Sequence, residues 1–365
     1  MTRVLTVLGT RPEIIRLSLT IAALDRACDH HVVYTGQNAD PRLSDVFFDE
    51  LGVRPPDARL HIGGVRFADQ VGPLFTGVAD LIERIQPQRL VVLGDTNSGL
   101  SALLAARMGV PVYHLEAGNR SDDPRSPEEV NRRVIDHAST VLMPYTHHSG
   151  RRLEAEGIDP RRVHVIGNPI FEVLETFAGE IAASTVASRL GVAPGAYGLL
   201  TLHRAETVDV PVRLESAIRA AASAATTRGW PLVFPVHPRT LDRMRQAGLP
   251  VSWPGVIFSP PLGFFDFVWL EQHAVAVFSD SGTVQEECAI LGTPNVVLRE
   301  FTERPETIDS GASVLAGVTG EGVEAALTQL LARASRPVPP PDYTVGGVAD
   351  RVMRLVLTAG ASPGS

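Results

Sequence analysis

The chain has 365 residues, 44% hydrophobic and 20% charged, with a formal net charge of −8. That length exceeds a usual single core and predicts two domains. The acidic balance argues against a nucleic-acid or anionic-membrane surface, and no apolar run approaches the ~20 residues that span a bilayer.

Residues 4–8 form a short apolar run that stops at Gly9-Thr10-Arg11-Pro12-Glu13, and a helical pattern follows over 14–26. Residues 1–3 lead straight into that strand. This leaves no room for the apolar core of a signal peptide and predicts a cytoplasmic protein. The turn matches neither G-x-G-x-x-G nor G-x-x-x-x-G-K-[ST]. Arg11 here reads either as a guanidinium that forks onto a phosphate or as a solvated surface cation. A strand over 31–34 ends in Thr35-Gly36-Gln37-Asn38, and helices are predicted over 42–51 and 67–84. Cys28 and Cys288 have no metal spacing and read as buried free thiols of a reducing compartment.

The rest of the chain is organised around residues 91–137. An apolar run over 90–93 ends in Gly94-Asp95-Thr96, and a second over 110–115 ends in Glu116-Ala117-Gly118. A polar loop then leads to Pro127-Glu128-Glu129, the start of an amphipathic helix. Ligands of open α/β sheets bind beyond the carboxyl ends of the strands. Asp95, Glu116 and Glu128 therefore read as a converging set of acids and bases, or else as helix caps and solvated loop carboxylates. Strands over 141–143 and 163–166 complete a doubly wound sheet of about six or seven strands. Gly167-Asn168-Pro169 interrupts the alternation and marks a domain boundary.

A second series follows, with strands expected over 199–202, 232–235, 256–258, 275–278 and 295–298. Helices are expected over 214–227, 241–247, 264–273, 283–291 and 321–334. The proline-rich stretch 337–341 reads as a stiff linker before a last helix over 348–357. The expected domains are 1–168 and 169–345, with 346–365 as a terminal helix returning to the first domain.

In this second half His203 sits at a strand end, as a phosphate donor or proton shuttle or as a loop histidine. Pro235-Val236-His237-Pro238-Arg239 is a weaker version of the same pattern. The aromatics over 263–269 have the helical spacing of core residues. In Ser279-Asp280-Ser281-Gly282-Thr283 a strand ends and a helix begins. Open N–H groups and the positive end of the helix dipole make a phosphate site without a lysine, with a plain Ser281 cap as the alternative. Glu287, about a turn and a half inside that helix, is placed to accept both hydroxyls of a ribose. Thr302-Glu303-Arg304-Pro305-Glu306 adds a guanidinium at another helix start. A nucleotide-diphosphate grip in one half and carboxylates in the other point to a nucleotide-sugar enzyme.

At GTRPEII, TGQN, LGDT, HLEAGNR, PEEVNRR, LHRAE, DSGTVQEE and TERPE the chain resembles the non-hydrolysing UDP-N-acetylglucosamine 2-epimerase family. These motifs run from Gly9 to Glu306. The resemblance implies two Rossmann-like α/β domains in a glycosyltransferase-B-like fold with the active site in the interdomain cleft. It also implies a homodimer and no metal or other cofactor. The implied reaction is 2-epimerisation of a UDP-2-acetamido sugar, UDP-N-acetylglucosamine to UDP-N-acetylmannosamine, by UDP elimination and re-addition. Asp95, Glu116 and Glu128 become the acid–base set. Arg11, His203, Ser281, Gly282 and Arg304 surround the diphosphate. Glu287 holds the ribose, Phe267 lies against the uracil, and Arg132 is a sugar or carboxylate partner. Gln37-Asn38 departs from the Gln-His pair of members with a regulatory second UDP-sugar site, and Arg204-Ala205 departs from an Arg-Arg pair. GNRSDDP and FFDFVWLE resemble a subgroup that acts on 6-deoxy-2-acetamido sugars. A 6-deoxy UDP-2-acetamido sugar, and a hydrolysing enzyme that releases UDP and free N-acetylmannosamine, are the alternatives.

Overall fold

The computed structural model describes residues 1–36, 42–64, 66–123 and 126–359. The chain divides into two compact units, Met1–Glu175 with Asp342–Ser365, and Thr176–Pro341. In the first unit the strands are β1 Arg3–Leu8, β2 Asp29–Tyr34, β3 Ala58–Arg59, β4 Arg89–Leu93, β5 Val112–Leu115 and β6 Val141–Met143. They are parallel and lie in the order β3-β2-β1-β4-β5-β6. Strands such as Arg-Leu-Val-Val-Leu are almost continuously apolar because helices cover both faces of a parallel sheet. Leu5, Val7, Leu90, Val92 and Val112 pack with Leu74, Val78 and Ile135 of the covering helices.

The second unit repeats the design with β7 Gly198–Thr201, β8 Leu232–Pro235, β9 Val256–Ser259, β10 Ala276–Ser279, β11 Asn295–Val297 and β12 Ser313–Leu315. The order β12-β11-β10-β7-β8-β9 is the same winding as in the first unit. In each unit the first and fourth strands are neighbours and the chain direction across the sheet reverses between them. Ligand-binding crevices open at such reversals, beyond the carboxyl ends of the strands. The molecule is thus a two-unit α/β protein of doubly wound, glycosyltransferase-B-like class.

Residues 163–166, expected as a strand, do not form one. Val163 makes a single bridge to Leu142. The 3-10 turn Pro160–Arg162 precedes it, and Gly167 at φ 89° followed by the helix Pro169–Thr176 cuts the segment short. The sheet therefore has six strands. β3 and β12 do not stand out in the sequence, because two and three residues are too few to show a pattern. The chain passes to the second unit at the end of the helix Pro169–Thr176, so Gly167-Asn168-Pro169 marks the start of that helix. The last helix, Val348–Thr358, packs on the helix Arg11–Ala27 of the first unit. Its Ala349 N–H donates to Glu172 at 3.0 Å. Among the described residues no helix is long and apolar enough to cross a membrane.

Candidate active site

In the first unit the crevice is built by three turns. After β4, Gly94 adopts φ 72° and delivers Asp95. Arg132 Nη2 donates to Asp95 Oδ2 at 2.5 Å, and Asn131 holds the Asp95 carbonyl at 3.0 Å. Both donors lie on the helix Pro127–Ala138, so that helix is tied to the end of β4. Glu129 accepts from the same Arg132 at 3.3 Å. After β5, Glu116 stands at φ 68°. A residue with a side chain adopts that left-handed backbone at a cost of about 1–3 kcal/mol, and such strain collects at functional sites. Glu116 is buried and accepts hydrogen bonds from Arg16 and Tyr145 at 3.3 Å each, and from Asn119 at 3.4 Å. The turns after β4 and β5 adjoin, since a Cβ on Gly94 would stand 3.9 Å from Glu116 Oε2. Glu128 is half-buried in the first turn of the Pro127–Ala138 helix and accepts from Ser126 Oγ at 2.8 Å.

The third turn follows β1. Arg11 opens the helix Arg11–Ala27, with its guanidinium carbon 5.6 Å from the centre of the Phe47 ring. Burial pulls this guanidinium below its ordinary pKa. Among the described residues no carboxylate pairs with it. Glu13 lies buried beneath the turn. It accepts from Gly9 N–H at 3.1 Å, Thr10 Oγ1 at 2.7 Å and Thr96 Oγ1 at 3.2 Å. Burial outweighs those donors and pushes its carboxyl up to about 7.

In the second unit the crevice lies beyond β7 and β10. Asp280, fully buried, accepts from the backbone N–H of His203 at 3.1 Å and of Arg204 at 3.0 Å. His203 Nδ1 is 3.4 Å from Asp280 Oδ1, and the ring is 39% exposed. Burial raises the Asp280 carboxyl, against the pull of those N–H donors. Ser281 precedes the helix Gly282–Leu291 without capping it through its side chain. Its hydroxyl lies instead 3.0 Å from Thr283 Oγ1. A Cβ on Gly282 would stand 2.6 Å from Glu303 Oε1, so only glycine fits unless that carboxylate moves. Glu303 is gripped by Arg204 at 2.6 Å and Arg299 at 2.8 Å. Arg304 is buried and donates to Glu286 at 2.5 Å. Phe267 is half-buried on the helix Phe264–His273, and Glu287 is buried on the Gly282–Leu291 helix.

Residues 22–357 match the family profile described as UDP-N-acetylglucosamine 2-epimerase. The UDP-N-acetylglucosamine 2-epimerase of Methanocaldococcus jannaschii is 35% identical over 358 residues, covering 96% of this chain and 97% of the relative. The chain belongs to the UDP-N-acetylglucosamine 2-epimerase family. It is an isomerase by that membership. A crystal structure of the M. jannaschii enzyme in complex with UDP-GlcNAc and UDP superposes with a TM-score of 0.90 at 33% identity, over 98% of this chain and 99% of that one. The UDP-2,3-diacetamido-2,3-dideoxy-D-glucuronate 2-epimerase of Pseudomonas aeruginosa is also 35% identical, over 90% of this chain and 92% of its own. The family thus includes more than one sugar at this level of likeness.

Within this family member, several residues that shape the two crevices have partners or burial that the local sequence does not specify. Arg16 is one, because its partner Glu116 is 100 positions away. Glu13 is another, since a glutamate in a first helical turn reads as a dipole partner. Asp280 reads as one more polar residue after a strand. Gln37-Asn38, the departure bearing on a second UDP-sugar site, lies outside the described residues. Among the described residues no group of three or more His, Cys, Asp and Glu is arranged to hold a metal.

Proposed function

We propose that this protein interconverts UDP-N-acetylglucosamine and UDP-N-acetylmannosamine without net hydrolysis, as a cytoplasmic homodimer. The observation that carries the reading is the Asp95–Glu116 pair of turns, each carboxylate held by its own arginine, in a chain that belongs to this family. The C2 proton of a 2-acetamido sugar has no carbonyl beside it and is not acidic. It becomes removable once the C1–O bond to UDP begins to break and C1 gains oxocarbenium character. A base takes that proton, the electron pair forms the C1–C2 double bond, and UDP departs with the glycosidic oxygen. The product is a 2-acetamidoglycal. UDP then adds back at C1 while an acid delivers a proton to the other face of C2.

The carboxylates Asp95, Glu116 and Glu128 fill the roles of base and acid, with Arg132 orienting Asp95. General acid–base help is worth roughly 10²–10⁴-fold per group. Arg11, His203, Ser281, Gly282 and Arg304 hold the departing diphosphate, Glu287 the ribose and Phe267 the uracil. The uncapped first turn of the Gly282–Leu291 helix supports the phosphate reading. A half-buried guanidinium at Arg11, without a carboxylate partner among the described residues, suits a ligand that brings its own negative charge.

The test is incubation with UDP-N-acetylglucosamine in deuterated water, followed by NMR. Deuterium at C2 of both epimers, without free UDP accumulating, is the expected result. Free UDP rising in step with free N-acetylmannosamine would instead identify a hydrolysing enzyme. The Pseudomonas relative favours a second reading, in which the sugar carries a further acetamido group and a C6 carboxylate. Faster exchange on that substrate than on UDP-N-acetylglucosamine would select it. A 6-deoxy sugar is compared in the same assay.

A further inference from the structure

His114 lies on β5, two residues before Glu116, and is buried. Both of its ring nitrogens are engaged. Nε2 is 3.0 Å from the carbonyl oxygen of Gly94, the residue that delivers Asp95. Nδ1 is 2.8 Å from Asp136 Oδ1. Asp136 is fully buried on the helix Pro127–Ala138. Its other oxygen accepts from the Gly118 N–H at 3.2 Å and lies 2.8 Å from Arg120 Nη2. One histidine–aspartate pair therefore touches the backbone just before Asp95 and just after Glu116.

The geometry fixes the hydrogens. A carbonyl oxygen only accepts, so Nε2 carries a hydrogen. A bare Nδ1 at 2.8 Å from a carboxylate oxygen would set two lone pairs against each other, so a hydrogen lies between these atoms as well. Asp136 Oδ2 already faces two donors, one of them a guanidinium. That favours the ionised carboxylate and leaves the second hydrogen on the ring. Burial raises the Asp136 carboxyl, but His114 and Arg120 bring it below its ordinary value. Arg120 does not neutralise Asp136 alone, because it also donates to Glu156 at 2.8 and 2.7 Å. Glu156 is faced in turn by Arg133 at 3.5 Å and His137 at 3.8 Å. A charged ring at His114 supplies the partner that a buried carboxylate requires.

We propose that His114 is a doubly donating imidazolium and the positioning residue for the Asp95 turn. Its Nε2–H holds the Gly94 carbonyl, while Asp136 anchors the ring and grips the backbone beyond Glu116. This rests on the reading that Asp95 and Glu116 work at C2. Gly94 at φ 72° and Glu116 at φ 68° both have left-handed backbone. A side-chain-bearing residue persists there only where its surroundings over-determine it. The His114–Asp136 pair ties both turns to β5 and to the helix that carries Arg132.

The test compares His114→Asn and His114→Gln in the full chain, by kcat and KM for deuterium entry at C2 of UDP-N-acetylglucosamine. The asparagine amide stands near the Nδ1 position and keeps a donor for Asp136, but leaves Gly94 O without one. The longer glutamine amide reaches the Nε2 position and keeps a donor for Gly94 O. His114→Asn should lose about tenfold to 10²-fold in kcat, the effect of a slightly misplaced catalytic group, with KM within about threefold. His114→Gln should return kcat to within about threefold of wild type. Undiminished kcat in His114→Asn, or an equal loss in both variants, would overturn the proposal; slowed exchange in Asp95→Asn would then leave the carboxylate reading intact. Wild-type exchange in both Asp95→Asn and Glu116→Gln would remove that reading, and the positioning role with it. Nitrogen NMR of the histidine rings in the wild-type chain needs no variant to fold. At neutral pH both ring nitrogens of His114 should carry hydrogen, and a single protonated nitrogen would overturn the proposal.

Discussion

Glu13 gives the sharpest test of the electrostatics beneath the first-unit crevice. Its carboxyl is fully buried, and burial raises it from an ordinary 4.5 to about 7. At roughly 1.36 kcal/mol per pH unit, the difference corresponds to about 3 kcal/mol. The folded state binds the proton more tightly than the unfolded chain does. The stability that this contributes is complete below about pH 4.5 and is lost as pH rises through about 7. Glu13→Gln mimics the neutral form and does not titrate. The variant should therefore gain about 3 kcal/mol relative to wild type between pH 4.5 and pH 8. Urea unfolding across that range measures it, and titrations shared by both proteins cancel in the difference. Trp230, Trp253 and Trp269 all lie in the second unit, so fluorescence supplies an internal reference while circular dichroism follows both units. Parallel pH curves for the two proteins would refute the reasoning, because the carboxyl would then titrate alike in both states.

Two further outcomes follow from the site geometry. Asp95→Asn and Glu128→Gln should slow deuterium entry at C2 by about 10²–10⁴-fold while UDP affinity stays within about threefold; undiminished exchange would remove the residue from the acid–base set. Gly282→Ala places a methyl group 2.6 Å from Glu303 Oε1, and that carboxylate is held by two arginines. Overpacking of this kind costs about 1–3 kcal/mol, read by tryptophan-detected unfolding, and UDP affinity should fall with it; a neutral result on both would show that the helix start has room to spare.

The fold class was legible because parallel strands buried on both faces leave apolar runs that end abruptly in Gly, Asp, Glu or Ser. Those endings locate Asp95, Glu116 and Ser281 without any structure. Arg132 was legible through the motif on its helix, and its 2.5 Å contact with Asp95 is a pairing that no local pattern encodes. Residues acting through distant partners were not legible at all. Arg16 lies inside an apolar helix and looks like an ordinary snorkelling side chain, yet it is buried against Glu116. Glu13 and Glu271 look like helix-surface acids, and both are fully buried. The segment 163–166 has strand composition but lacks the length of uninterrupted backbone to pair, since Gly167 turns it away.

The two units share a winding and differ in what stands at its reversal. Beyond β1 and β4 the first unit sets Arg11, Glu13 and Asp95; beyond β7 and β10 the second sets His203, Asp280 and an uncapped helix start. A doubly wound sheet has one reversal and so one such crevice. A crevice built around a helix N-terminus has positive potential and stabilises anions, which suits a leaving diphosphate. The same potential would hold a nearby carboxylate in its charged form and oppose its use as an acid. In the proposed reading Asp95 and Glu116, each held by its own arginine, are carried on a separate sheet from that anion-binding helix start. On the proposed roles, duplicating the fold supplies that second sheet and puts the acid–base carboxylates on a different sheet from the Gly282–Leu291 helix start, with Arg11 as a diphosphate contact on the first sheet.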